Sequence, residues 1–352
     1  MSAATNPFPD APPHSLSSLM SPSVSVIMPV LNEERHLREA VQQVLDQDYD
    51  GAIEVVLAVG PSRDRTQEVA DSIAAADPRV TVVANPTGRT PNALNAAIEA
   101  SRNEIVARVD GHAMLPKDYL RTAVDTLRQT GADNVGGIMA AEGVTAFEQA
   151  VARAMTSKIG VGNAAFHVGG EGGPADTVYL GVFRREALER VGGYDEHFQR
   201  AQDWEMNHRI RETGGLVWFQ PKMRVSYRPR PNARALAKQY FHYGRWRRVV
   251  ARTHQGTINL RYLAPPAAVL GIVFGLALTP FLWPAVLVPG LYLAAILAAT
   301  PLTGRGLSGA ALVRLPLVYV TMHLSWGAGF LTSPSRLSKP RPAGTDLQDL
   351  FH

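Results

Sequence analysis

The sequence of 352 residues contains no cysteine. A disulfide and a zinc site with thiolate ligands are therefore excluded within it, which fits a reducing compartment without requiring one. The first 22 residues are rich in Pro, Ser and Ala, and they have neither a basic start nor an apolar core. We expect residues 1–22 to be a disordered lead rather than a signal peptide.

Acidic residues are missing from residues 222–262, which hold eleven Lys or Arg and no Asp or Glu. Such a block could bind nucleic acid, anionic lipid or a phosphate-bearing substrate. It runs directly into an apolar stretch, and basic residues in that position mark the cytoplasmic side of a membrane. We interpret residues 222–262 as a basic juxtamembrane segment, with a membrane and not nucleic acid as its partner.

Charge is also scarce in residues 263–331, where the only Lys, Arg, His, Asp or Glu are Arg305, Arg314 and His323. Residues 263–283 are long enough to cross the hydrocarbon core, and residues 284–300 are at the short end of that range. Residues 310–331 could form a third crossing or an interfacial helix, and buried core helices are the alternative for all three. The expected protein is multi-pass in the inner or cytoplasmic membrane, with its N-terminal domain and a tail at residues 332–352 on the cytoplasmic side.

The N-terminal part of the chain alternates apolar strands with helical patterns. The predicted strands are residues 24–31, 53–59, 80–84 and 104–109, and the predicted helices between them are residues 33–46, 66–76 and 91–100. This alternation predicts an α/β fold with a doubly wound, mostly parallel sheet. Asn32 is placed as the cap of the first helix.

Later segments give weaker signals. Residues 185–190 and 203–213 are predicted short helices, each followed by a pair of glycines. Seven glycines in residues 160–181 predict a loop whose backbone approaches a ligand, or else a flexible surface loop.

Three short polar motifs follow apolar or aromatic runs in a fixed order. They are Pro29-Val30-Leu31-Asn32-Glu33-Glu34, then Asp110-Gly111-His112, then Gln202-Asp203-Trp204-Glu205. Side chains at the carboxyl ends of strands converge on the crevice of an open α/β sheet. The motifs therefore predict a single active site.

As an ordered set these motifs resemble family 2 glycosyltransferases of the GT-A fold. Within that family the chain is most similar to membrane-attached, succinoglycan-type glucosyltransferases of bacterial exopolysaccharide assembly. The likeness covers about residues 23–250. It implies a GT-A domain at residues 23–221 that moves a sugar, with inversion, from a nucleotide-sugar donor to a lipid-linked acceptor, a polyprenyl pyrophosphate.

The resemblance also assigns the donor site. Pro29, Asn32 and Glu33 would hold the nucleotide, and Glu33 can accept hydrogen bonds from ribose hydroxyls. Arg89 and Asn95 match a family segment that faces the diphosphate, although Arg89 on a solvated turn is the alternative.

Asp110 and His112 stand where the family has Asp-x-Asp, which implies that they hold Mn²⁺ or Mg²⁺ and that Asp110 contacts the donor. Imidazole shifts the preference toward Mn²⁺. The segment 59–66 lacks both leading acids of the pattern common in relatives, in which an Asp binds the uracil ring. The base of the donor therefore stays open.

For the acceptor side the resemblance implies that Asp203 is the general base. Gln202 and Trp204 beside it, and Arg245 and Trp246 in a later segment similar to Gln-x-x-Arg-Trp, would bind the acceptor. Trp246 would stack on a sugar and Arg245 would bind a diphosphate, or both would simply anchor the chain at the membrane surface.

Two other functions remain open from the sequence. One is transfer directly to a polyprenyl phosphate. The other is a non-catalytic membrane scaffold with a decayed donor site, which the missing acids at residues 59–60 favour and the presence of Asp110 and Asp203 opposes.

Overall fold

The computed structural model describes residues 21–338. The predicted lead lies almost wholly outside the described residues, as does most of the predicted tail. The chain divides into two compact units that alternate along the sequence. The first unit is Met1–Gly137, Glu171–Tyr194 and Met206–Arg224, and the second is Ile138–Gly170, Asp195–Glu205 and Val225–His352.

The first unit is built on an eight-stranded sheet. Its strands, two of which continue past the boundaries of the unit, are β1 (Val24–Val30), β2 (Ile53–Val59), β3 (Val80–Ala84), β4 (Ile105–Arg108), β5 (Asn134–Ala141), β6 (Gly173–Pro174), β7 (Tyr179–Arg184) and β8 (Val217–Tyr227). The strand order is β3-β2-β1-β4-β7-β5-β8-β6. The first four strands are parallel, whereas β7 runs antiparallel to both β4 and β5.

The α-helices fall between and after these strands. In chain order they are α1 (Leu37–Leu45), α2 (Thr66–Ala76), α3 (Thr90–Ala100), α4 (Tyr119–Thr130), α5 (Ala146–Met155), α6 (Lys158–Val161), α7 (Ala165–Val168), α8 (Arg185–Arg190), α9 (Gln202–Glu212), α10 (Ala233–Thr253), α11 (Leu260–Leu278), α12 (Leu287–Thr303) and α13 (Gly309–Leu331). Two 3-10 helices cover Trp283–Val286 and Ser335–Ser338.

The strands β1, β2 and β4 have the sequence pattern of strands inside a sheet. These strands are runs of mainly apolar residues that are almost entirely buried, as expected for strands covered on both faces. From β1 the chain proceeds to β2 and β3 on one side and then returns to β4 on the other. The carboxyl ends of β1 and β4 therefore flank the point where ligands bind in open α/β sheets. The predicted α/β architecture is confirmed.

The prediction that Asn32 caps α1 is wrong. The helix begins at Leu37, and its N-cap residue is His36, which makes no side-chain cap. Asn32 has a φ of 57°, in the left-handed region that Asn enters more readily than most residues. Its side-chain oxygen accepts a hydrogen bond from the Arg63 backbone nitrogen at 2.8 Å. Asn32 therefore joins the β1–α1 loop to the β2–α2 loop.

In the second unit α13 is the helix on which the others pack. It contacts α10, α5, α11 and α12, and buried side chains line it, among them Leu315, Tyr319 and Met322. The segment predicted as a third crossing or an interfacial helix thus has one side buried among the other helices of the unit, and its place at the membrane stays a prediction. Among the described helices, two segments are long and apolar enough to cross a membrane, Leu260–Leu278 and Trp283–Thr303.

Two segments differ in detail from the predictions. The glycine-rich residues 160–181 are not wholly irregular, because α7 and the end of α6 lie within them and are followed by Gly169 and Gly162 at positive φ. The predicted domain boundary at residue 221 falls inside β8, which continues to Tyr227. Residues 222–262 therefore contain the end of a strand as well as α10 and the start of α11.

Candidate active site

The carboxyl ends of β1 and β4 bring the first two predicted motifs together. His112 Nδ1 lies 2.7 Å from Glu33 Oε1. A Cβ added at Gly111 would lie 3.3 Å from Glu33 Cγ, so the backbone of the second motif rests on the side chain of the first. The two loops meet because β1 and β4 are parallel neighbours. The site therefore sits where the strand order predicts it.

Asp110 is held by an arginine that the sequence reasoning missed. Arg108 ends β4, and its Nη2 and Nε lie 3.0 Å and 3.3 Å from Asp110 Oδ1. The Arg108 side chain is 6% exposed and that of Asp110 is 23% exposed. Because the guanidinium is buried and planar, it fixes the orientation of the carboxylate. The available signal was a lone cation at the end of an otherwise apolar strand.

The loop after β2 supports the loop after β1. Thr66 Oγ1 accepts from the Glu33 backbone nitrogen at 2.7 Å, and Glu34 Oε2 accepts from the Arg65 nitrogen at 2.7 Å. The segment that lacks the family's two acids thus keeps a structural role, since it fixes the backbone that carries Glu33. Pro29 lies one residue before the end of β1, in register with Ala58 of β2.

The loop after β3 places Arg89 at the same edge of the sheet. Arg89 is the N-cap residue of α3, and its carbonyl oxygen accepts from Asn85 Nδ2 at 3.2 Å. Asn95 lies further along α3, and both ends of its amide bind the Tyr194 backbone at 2.8 Å. These two contacts of Asn95 are structural, and its place in the donor site stays a prediction.

In the second unit the third motif opens α9. Ala201, just before it, has a φ of 61°, which is strained for a residue with a side chain and often marks a functional turn. Gln202, Asp203 and Trp204 are half-buried. Glu205 is only 1% exposed, and its Oε1 lies 3.1 Å from His254 Nε2. A buried carboxylate needs such a partner, so His254 holds the first turn of α9 against the end of α10.

Trp204 belongs to a stack of aromatic and cationic side chains. The Arg247 guanidinium carbon lies 4.0 Å from the ring centres of both Trp204 and Tyr262. Arg247 is buried, and cation–π contacts of this kind are strongest where water is excluded. The sequence reasoning missed both Arg247 and Tyr262, although each lies in the basic segment.

The structure corrects the role given to Trp246. This side chain is 6% exposed and packs in a core with Phe198, Val249, Val250 and Leu337, so it offers no open face on which a sugar could stack. Arg245 is half-buried, with its guanidinium carbon 4.8 Å from the Phe241 ring centre. Burial lowers the pKa of Arg245, and the nearby Arg336 adds to the effect.

Asp110 and His112, at the carboxyl end of β4, fit a divalent ion for which the protein supplies some of the ligands and the substrate supplies the others. Within residues 21–338 no group of three or more His, Asp or Glu could hold a metal. Asp110 and His112 offer a carboxylate and an imidazole, and Mg²⁺ or Mn²⁺ is commonly held by one or two such groups and substrate phosphates. A carboxylate on the other ring nitrogen, here that of Glu33, is the usual companion of a metal-binding histidine.

An open α/β sheet whose acidic side chains meet where the strand order reverses is typical of nucleotide-binding enzymes. Comparison with known proteins makes this class specific. The glycosyl transferase family 2 profile matches residues 25–192. The chain is 33% identical over 318 residues to the succinoglycan biosynthesis protein ExoA of Rhizobium meliloti (strain 1021). The aligned residues cover 90% of this chain and 96% of the relative. The chain therefore belongs to family 2 of the glycosyltransferases, as predicted.

Two further similarities agree with this result. A Methanococcus voltae relative, dolichyl N-acetyl-alpha-D-glucosaminyl phosphate 3-beta-D-2,3-diacetamido-2,3-dideoxy-beta-D-glucuronosyltransferase, is 24% identical over 69% of this chain and 77% of its own. The mannosyltransferase PcManGT of Pyrobaculum calidifontis, solved with GDP-Man and Mn²⁺, has a TM-score of 0.56 at 22% identity over 94% of this chain and 90% of its own. The second likeness shows the GT-A-like fold.

Proposed function

We propose that this glycosyltransferase transfers a sugar, with inversion, from a nucleotide-sugar donor to a lipid-linked acceptor at a membrane surface. The observation that carries the proposal is the meeting of Glu33 with His112 beside the Arg108–Asp110 pair, at the point where the strand order reverses. Family membership favours an enzyme over the scaffold alternative.

The donor half of the reaction rests on the first unit. Asp110 and His112 would hold a divalent ion, which would supply positive charge against the negative charge of the departing nucleoside diphosphate. Arg108 fixes the Asp110 carboxylate and Glu33 orients the His112 ring. Arg89, Pro29 and Asn32 would contact the donor from the neighbouring loops.

The acceptor half rests on Asp203 as general base. Its carboxylate removes the proton from the acceptor hydroxyl as that oxygen attacks the anomeric carbon, and the nucleoside diphosphate leaves from the opposite face of the sugar. One C–O bond forms as the other breaks, so the configuration inverts. The neighbouring Glu205–His254 pair keeps the turn that carries Asp203 in place.

Two helices support a membrane setting. Only 11% of the span in Leu260–Leu278 and 17% of that in Trp283–Thr303 is buried, whereas a core helix of a soluble protein would be mostly covered. We propose that these segments cross the cytoplasmic membrane as a pair. The acceptor is proposed to be a lipid-linked sugar because the 33%-identical relative is named for succinoglycan biosynthesis and the Methanococcus relative for a dolichyl-linked sugar phosphate.

Calorimetry on the detergent-solubilised protein tests the donor site, with UDP, GDP and dTDP each titrated with and without Mn²⁺. We expect one nucleotide to bind in a Mn²⁺-dependent way and Asp110→Ala to abolish that dependence. Asp203→Asn should bind the same nucleotide normally but lose transfer by at least about a hundredfold. Folded protein that binds none of the nucleotides would overturn the proposed function.

A further inference from the structure

A cluster of cations lies where α11 begins, within the second unit. The Arg261 guanidinium carbon is 4.7 Å from the Tyr262 ring centre, and that of Arg247 is 4.0 Å from the same centre. Arg247 also lies against Trp204, the residue next to Asp203. We name Arg247, Arg261 and Tyr262 the Arg261 cluster. It extends from the turn that carries the proposed base to the first of the two apolar spans.

Arg261 Nε in the cluster is buried and lacks a hydrogen-bond partner among the described residues. The hydrogen bond described for Arg261 is donated by Nη2 to its neighbour, the Tyr262 hydroxyl, at 2.5 Å. A buried N–H without an acceptor is costly. An anion that supplies oxygen acceptors would satisfy the guanidinium at this place.

The Gly162 backbone packs on the Arg261 side chain, where an added Cβ would lie 3.6 Å from Cδ. The glycine-rich loop thus forms one wall of the cluster.

Apolar side chains surround this polar group at the surface. Leu260 is 85% exposed, and Ile258, Leu263 and Ile159 are also exposed. No Asp or Glu occurs anywhere in residues 222–262. A cluster of cations beside exposed apolar side chains fits an amphiphile with a phosphate head and a hydrocarbon chain, rather than a soluble phosphate ester.

We propose that Arg261 and Arg247 bind the phosphate of the lipid that carries the acceptor sugar, with its hydrocarbon chain lying along the exposed start of α11. The assignment rests on the proposed function, because the lipid-linked acceptor of that function is the ligand that the Arg261 cluster would bind. It moves the acceptor-phosphate contact from Arg245 to Arg247 and Arg261.

The test measures binding of farnesyl diphosphate, a short polyprenyl diphosphate, to the full-length protein in detergent micelles. Arg261→Gln should weaken this binding by about tenfold or more, since a charged hydrogen-bond donor is lost. Arg261→Lys keeps the charge without the planar fork and should lose less. The matched control is Arg234→Gln, which removes an exposed cation of the same basic segment and should change binding less than about twofold.

Each arm of the experiment gives a decision. Equal weakening by Arg261→Gln and Arg234→Gln would mean general electrostatic attraction and would overturn the assignment, as would unchanged binding in folded Arg261→Gln and Arg261→Lys. Inorganic pyrophosphate should compete weakly, because it lacks the chain. If phosphatidylglycerol vesicles compete as strongly as unlabelled farnesyl diphosphate does, the Arg261 cluster binds bulk lipid headgroups instead.

Nucleotide binding, titrated on the same samples, separates the two proposals. Arg261→Gln should leave it unchanged. Wild-type protein that binds farnesyl diphosphate through Arg261 but binds no nucleotide would refute the proposed function while keeping the lipid-phosphate site.

Discussion

At the scale of single residues, Glu33 has two possible duties, to hold the ribose and to orient His112. The 2.7 Å contact with His112 Nδ1 supports the second. We predict that Glu33→Gln raises the Mn²⁺ concentration needed for half-maximal nucleotide binding by about tenfold or more, because carboxylate partners of metal-binding histidines have effects of that size. Calorimetric titration of nucleotide at a series of Mn²⁺ concentrations measures this.

The neighbouring carboxylate provides the control for this prediction. The Glu34 carboxylate contacts Arg65, so Glu34→Gln should leave the Mn²⁺ requirement unchanged. A loss of nucleotide affinity in Glu33→Gln that persists at saturating Mn²⁺, with the same Mn²⁺ requirement, would show that Glu33 serves the ribose alone.

Backbone conformation at single residues also marks the motifs. Asn32, Leu180 and Ala201 are the described residues other than glycine with positive φ. Asn32 lies within the first motif and Ala201 directly before the third. Strained conformations of this kind persist only where the surrounding structure holds them, and they concentrate at functional sites. Both turns are therefore consistent with carrying donor and base residues.

At the scale of elements, the second unit depends on close contact between α10 and α13. A Cβ at Gly244 would overlap the Trp326 carbonyl oxygen, and one at Gly329 would overlap that of Phe241. Glycines let the two helix backbones touch, as small residues do in membrane helix pairs. We predict that Gly244→Ala lowers the free energy of unfolding by about 1–3 kcal/mol and the thermal midpoint by several degrees.

Gly290→Ala is the matched control, because a Cβ added at this helical glycine of α12 would meet no described atom within 4 Å beyond its own stretch of helix. It should keep or raise the midpoint, since Ala favours a helix more than Gly. Thermal unfolding of both variants in the same detergent measures the difference. A midpoint for Gly244→Ala equal to that of the wild type would show that the α10–α13 contact is looser than described.

Several helices and strands were predicted correctly from the residues within them and next to them. The four parallel strands and α2, α3 and α8 lie within one or two residues of their predicted bounds, because apolar runs, glycines and prolines act on nearby backbone. The roles of residues on α10 depended on distant packing instead. A motif indicates a short range of residues, but the side of the helix on which each residue lies decided that Trp246 is buried in a core while Arg247 stacks on Trp204.

The site shows the same division. The strand pattern was enough to place Glu33 and the Asp110-Gly111-His112 turn at neighbouring strand ends. A lone cation at the end of an apolar strand singled out Arg108, but its pairing with Asp110 could not be predicted, because it depends on burial that only the folded chain defines. The pairings of His254 with Glu205 and of Asn95 with Tyr194 could not be predicted either, because each partner is distant in sequence.

At the scale of the whole molecule, the proposal that α11 and α12 cross the membrane has a direct test, because the chain contains no cysteine. Phe281 lies between the two helices and is 88% exposed, and Val144, before α5 in the same unit, is 69% exposed. A helix of 19 residues, the length of α11, is about 28 Å long, close to the thickness of the hydrocarbon core. Residue 281 should therefore emerge on the far side.

We predict that a membrane-impermeant maleimide labels Phe281→Cys in intact cells but labels Val144→Cys only in inverted vesicles, with both labelled equally in detergent. The reason is that a pair of crossings exposes its connecting turn to the opposite compartment, whereas the basic segment stays on the cytoplasmic side. If both cysteines react only in inverted vesicles, the two apolar helices lie in the interface without crossing. The lipid-phosphate site proposed at the Arg261 cluster would then still lie at the membrane surface, because the site requires only that α11 begin at that surface.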